Sequence, residues 1–141
     1  MDRRTMLQGM GAALMMSAAG EGMAQSPGTK TDVVYELRIY HAYEGKLDGL
    51  LARFRDHTIE IFTRHGMKSI AYWVPTDEPL KGRTLIYILE HPSRAAAAAN
   101  WKSFQADPEW VKVKGESEAN GQLVEKVDST YMTRTEFSPA I

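Results

Sequence analysis

Glu36, Arg38 and Tyr40 alternate along the run Tyr35-Glu36-Leu37-Arg38-Ile39-Tyr40, and in an extended strand alternate residues share one face. That spacing sets a guanidinium beside a phenol, a pair able to hold a carboxylate, an enolate or a phenolate and to stabilise negative charge developing on oxygen. The same spacing allows a plain ion pair between Arg38 and Glu36 with Tyr40 filling space, because a buried arginine needs an anionic partner. His57 falls one turn from Phe54 and Ile61 on the apolar side of a helical pattern, where burial tunes an imidazole for moving a proton. A hydrogen-bonded core histidine is the alternative there. Arg38, Tyr40 and His57 are therefore the catalytic candidates. Glu36, Trp73, Tyr87 and Trp101 are candidate ligand contacts, the aromatic ones either lining a pocket or packing the core.

The remaining histidines read as structural. His65 precedes Gly66, and an imidazole in a last helical turn suits the helix C-terminal dipole. His41 and His91 sit at strand ends without a spaced ligand partner. His57 and His65 are eight residues apart, about 12 Å along a helix axis, too far to share one zinc. No local metal site is visible. With no cysteine in the chain, thiolate metal sites, disulfides and a thiol nucleophile are excluded, so any chemistry falls to His, carboxylate, hydroxyl or Arg.

Four runs have strand composition: Val33 to His41, Met67 to Val74, Arg83 to Glu90, and Leu123 to Met132. Between the first two, residues 44–65 place Leu47, Leu50, Leu51, Phe54, Ile61 and Phe62 on one helical face, and Gly66 supplies the stop. Ser93 caps a second helix through Ala95 to Ala99, Trp101 and Phe104. Asp107-Pro108 then opens a shorter helical piece with a capping carboxylate and a proline at its first position. The order is strand, helix, strand, strand, helix, strand, an α+β ferredoxin-like βαββαβ unit whose four-stranded antiparallel sheet carries helices on one face.

Helices cover only one face of such a sheet, yet both faces of the third strand are apolar, with Leu85, Tyr87 and Leu89 on one and Ile86 and Ile88 on the other. The economical cover for the second face is another copy, and a homodimer is expected. On the first strand, the apolar set Tyr35, Leu37 and Ile39 is expected to meet the helices. Glu36, Arg38 and Tyr40 would then face the space between subunits.

The chain has 141 residues, 43% hydrophobic and 25% charged, with a formal net charge of −1, which allows one domain and supplies no basic excess for nucleic acid. Residues 1–24 differ from the rest, holding six of the eight methionines, a pair Arg3-Arg4, a weakly apolar run from Met10 to Ala19 and the small-x-small pattern Gly22-Met23-Ala24. They resemble a twin-arginine export signal, although that pattern prefers Phe where Met6 stands and Lys where Gln8 stands. The run is too short to span a membrane stably, for which about 20 apolar residues are needed. Cleavage after Ala24, a polar linker over 25–32, a domain over 33–137 and a periplasmic or secreted destination are the expectations.

The domain's ordered motifs are Tyr35-Glu36-Leu37-Arg38-x-Tyr40, Gly45, His57, His65-Gly66, Trp73, Asp107-Pro108-x-Trp110, Leu123-Val124 and Ser129. Together they resemble the NIPSNAP family. The resemblance implies a ferredoxin-like subunit that pairs into a dimeric α+β barrel, and implies no particular reaction, since the wider superfamily includes cofactor-independent monooxygenases, haem-dependent enzymes and isomerases. Two readings follow. One is a small molecule bound in the barrel cavity, with metal-independent chemistry on an aromatic or enolisable carbonyl compound. The other is a non-catalytic periplasmic binding or assembly module. No cofactor is required by either; haem is the weaker option, with His57 or His65 offering an axial nitrogen.

Overall fold

A computed structural model of the protein describes residues 32–141, and the expected export signal, with the expected linker up to residue 31, lies outside them. The chain forms β1 (Val34–Ala42), α1 (Leu47–Arg53), a π-helical turn (Phe54–Thr58) leading into α2 (Ile59–Arg64), β2 (Lys68–Trp73), β3 (Thr84–His91), α3 (Arg94–Ala106), α4 (Pro108–Ser117) and β4 (Val124–Met132). The strands pair antiparallel in the order β2-β3-β1-β4, the ferredoxin-like arrangement.

Local chemistry sets the element ends. Gly66, at φ +81, closes α2, and the amides of Gly66 and Met67 donate back to the carbonyls of Thr63 and Phe62, satisfying groups that a helix end would leave unpaired. Ser93 accepts from the Ala96 amide at the start of α3, and Asp107 accepts from the Glu109 amide at the start of α4. Both caps were legible in the sequence.

The helices lie on one face of the sheet. Leu50, Phe54, Ile61 and Phe62 from the first helical segment pack with Phe104 of α3 and Val113 of α4 against Leu85, Tyr87 and Leu89 of β3. Phe62 lies at the centre, with ring contacts to Tyr87, Trp101 and Phe104. That packing corrects the expected facing of β1. Leu85, Tyr87 and Leu89 pair directly with Tyr40, Arg38 and Glu36, and directly opposed residues share a face. The polar set of β1 is therefore carried to the helix side by the strongly apolar side of β3. Leu37 and Ile39 point the other way instead, paired with Ile88 and Ile86, onto a face that no helix among the described residues covers. Ala71 and Trp73 of β2 continue that face, and Trp73 is 49% exposed.

Candidate functional site

Glu36 is 1% exposed and receives four hydrogen bonds. His91 Nε2 and Trp101 Nε1 donate to one carboxylate oxygen at 2.9 and 2.7 Å; Arg38 Nη1 and Ser129 Oγ donate to the other at 2.8 and 2.6 Å. Burial alone would raise this carboxyl, but the hydrogen bonds from His91, Ser129, Trp101 and Arg38 outweigh it and hold the group at about 2. An ionised carboxylate with this many donors is satisfied despite its depth.

Arg38 extends the network. Its Nε donates to the Tyr87 hydroxyl and its Nη2 to the Tyr40 hydroxyl, both at 3.0 Å, while the guanidinium lies over the Trp101 ring at 4.1 Å. Burial by itself would lower the Arg38 pKa, but the oxygens of Tyr40, Tyr87 and Glu36 hold it above its ordinary value. Tyr87 donates in turn to Tyr40 at 2.9 Å, and burial pushes the Tyr87 phenol well up. The Tyr40 oxygen thus accepts from both Arg38 and Tyr87, which leaves its own O–H to be donated elsewhere.

Tyr40 also lines a surface cleft of about 270 Å³ between β4 and α4, walled by Trp110, Val124 and Val127. Arg53, Lys114 and Lys126 face it with Glu118 and Glu125, three cations against two carboxylates. A larger hollow of about 660 Å³, lined by Val33, Tyr35, Glu90 and the segment 133–141, touches none of the predicted site residues. Size alone would favour that hollow. The chemistry favours the cleft at Tyr40, because the polar network ends there.

Of the predicted residues, Glu36, Arg38, Tyr40, Tyr87 and Trp101 come together, within one protomer rather than between two. Trp73 is on the opposite sheet face. His57 does not sit among the core residues as expected; it is exposed and lines a separate hollow with Arg53 and Asp56. The cause is the π-helical turn, which is one residue wider than an α-turn, so that Thr58 takes the buried position and donates to the Arg53 carbonyl at 3.2 Å. His65 Nε2 donates to Asp107 at 2.6 Å, where Arg64 also reaches at 2.8 Å, joining the end of α2 to the start of α4. These two partners hold the Asp107 carboxyl below the usual carboxylate range. His41 pairs with Asp128. Among the described residues no group of three or more His, Asp or Glu could hold a metal ion, and no helix is long and apolar enough to cross a membrane.

The sequence reading missed the part played by His91, set aside there as a strand-end residue. Its only signal is its place two residues beyond Leu89, the cross-strand partner of Glu36, and that needs the β1–β3 register.

The NIPSNAP family model matches residues 35–139. Among solved structures, the fold is similar to that of a NIPSNAP family protein of unknown function from Agrobacterium tumefaciens, at 22% identity and a TM-score of 0.67, over 82% of this chain and all of that one. An uncharacterised NIPSNAP-like domain protein from Burkholderia xenovorans gives 18% identity and the same TM-score, over 78% and 91%. More distantly, SnoaB, a cofactor-independent oxygenase from Streptomyces nogalater, shares the fold at 14% identity and a TM-score of 0.52, over 77% and 99%. No curated protein matches. Apart from Val34, the family's span takes in the strands and helices of the described residues and the whole Glu36–Arg38–Tyr40 network, and the chain belongs to the NIPSNAP family.

Proposed function

We propose that this NIPSNAP protein is exported, pairs as a homodimer and binds a small molecule in the cleft at Tyr40. The observation that carries the reading is at Tyr40: its hydroxyl accepts two hydrogen bonds and keeps its own proton to donate, and the residue lines the cleft. The ligand class this suits is an aromatic or enolisable carbonyl compound whose oxygen takes the Tyr40 proton in a hydrogen bond. Arg38 acts from behind, through Tyr40, opposing negative charge as it gathers on that oxygen. Glu36, Tyr87 and Trp101 position Arg38, and neither metal nor haem enters the scheme. His57, in its separate hollow, has no part in it.

A second reading is favoured by one observation. Each of the three Arg38 nitrogens is bonded, to Glu36 and two phenols, as in a network that only holds the sheet together in a non-catalytic binding or assembly module.

Native mass spectrometry with an absorbance spectrum, on processed protein purified from its export compartment, separates the two. The first reading expects a dimer carrying a small molecule. Tyr40→Phe should weaken retention of that molecule by about 10- to 100-fold while lowering Tm by only about 5–10 °C, the effect of two internal donors losing their acceptor. An empty dimer, in which Tyr40→Phe lowers Tm and has no other effect, favours the assembly module. For export, Arg3-Arg4→Lys-Lys should leave the precursor in the cytoplasm, scored by fractionation and immunoblot; normal processing of that variant would remove the twin-arginine assignment.

A further inference from the structure

We infer that Arg53 is the anion anchor of the Tyr40 cleft, so that its ligand is a small planar carboxylic acid carrying a second oxygen for Tyr40. The inference rests on the cleft reading above and adds the ligand's charge. Arg53 is 5% exposed, and its Nε has no hydrogen-bond partner. A buried guanidinium with an unused N–H is costly unless an acceptor reaches it.

The contacts Arg53 does make are long. Its Nη1 lies 3.2 Å from Ser117 Oγ and 3.3 Å from Glu118, and Glu118 is shared with Lys114. Two cations thus depend on one carboxylate, leaving positive charge beside the cleft. The guanidinium also lies over the Trp110 ring at 5.1 Å, so the same aromatic wall that steadies Arg53 offers a flat surface to a planar ligand. A carboxylate set against the Arg53 guanidinium supplies the missing charge, and draws on a group whose own hydrogen bonds are long and incomplete. The far end of the molecule then meets Tyr40, which has a proton to donate. A carboxylate and a carbonyl or phenol oxygen at opposite ends of a flat molecule match these two groups.

Arg53 precedes the π-helical turn that displaces His57, and its carbonyl accepts from Thr58 Oγ1. Its guanidinium is placed by Ser117, Glu118 and the Trp110 ring, without help from a ligand. It is a preformed anchor, one that sequence spacing alone gives no reason to select.

The test uses 4-hydroxybenzoate and its neutral counterpart 4-hydroxybenzamide, titrated at millimolar concentration into the processed dimer and followed by tryptophan fluorescence and ligand-observed NMR. The acid should bind at least about 10-fold more tightly than the amide. Arg53→Lys, which keeps the charge, should weaken the acid about 10-fold, and Arg53→Gln about 100-fold, with the amide unaffected by either. Should Arg53→Gln fail to fold, the lysine variant alone carries the comparison. If acid and amide bind equally, or the acid's affinity ignores Arg53, the anchor assignment is overturned while the cleft reading stands, since Tyr40→Phe would still weaken both probes. If neither probe binds the wild-type protein, both readings fall.

Discussion

Replacing Glu36 with Gln should lower stability by about 3–5 kcal/mol, seen as a fall in Tm on the order of 10–20 °C by circular dichroism or calorimetry. The amide keeps the shape of the carboxylate but presents an N–H₂ group to two of the four donors that now converge there. It also leaves the Arg38 guanidinium, whose side chain is 15% exposed, without its counter-charge. Acid titration should reproduce part of this in the wild-type protein. The Glu36 pKa is lowered on folding from 4.5 to about 2, so its contribution is complete above about 4.5 and is lost as the pH falls through that interval. The contribution amounts to about 3 kcal/mol, so the gap in stability between wild type and Glu36→Gln should narrow as the pH drops toward 2. A variant that melts within about 2 °C of wild type at neutral pH would show that the network does not hold the sheet.

The second large effect is expected on the uncovered sheet face. Ile88→Lys should raise the dimer dissociation constant on the order of 1,000-fold or more, because a twofold interface receives the buried charge twice. Ile88 and Ile86 pair with Leu37 and Ile39 on the side away from the helices, so the protomer's own core is untouched and its fold should survive. Sedimentation velocity over a concentration series gives the constant, and circular dichroism checks the fold. A wild-type constant in Ile88→Lys, or a wild-type protein that is itself monomeric at micromolar concentration, would remove that face as the dimer surface. The same argument applies to Ile86→Lys, which should behave alike.

The parts of this fold that sequence revealed are those decided within a few residues. Gly66, Ser93 and Asp107-Pro108 act through backbone groups one to three positions away, so their roles are visible without tertiary information. The pairing of Arg38 with Glu36, on one strand face, was visible for the same reason. What sequence could not supply is the register between β1 and β3. Alternation says that Glu36, Arg38 and Tyr40 share a side; only their opposition to Leu89, Tyr87 and Leu85 says that the side is the helix-covered one. The rule that apolar residues face inward pointed the wrong way, because both sides of β1 have partners: an internal network for one, an apolar sheet surface for the other. His57 was misplaced because the π-helical turn has no local signature, and one extra residue in a turn rotates everything beyond it. Arg53 escaped notice since an arginine at the edge of an apolar stripe is ordinary until its neighbours are known.

The junction of His65, Arg64 and Asp107 has a consequence for recognition. The Tyr40 cleft lies between β4 and α4, and Arg53 of α1 lines it beside Trp110 and Lys114. Arg53 and α4 are remote in sequence, yet Arg53 bonds directly to Ser117 and Glu118, and the end of α2 is clasped to the first turn of α4 outside the cleft, so their separation is held at two places. Such a clasp works like a calliper locked before measurement. Under the proposed reading, molecules would be sorted by width, and a ligand of the right width would cost the host little freedom on entering.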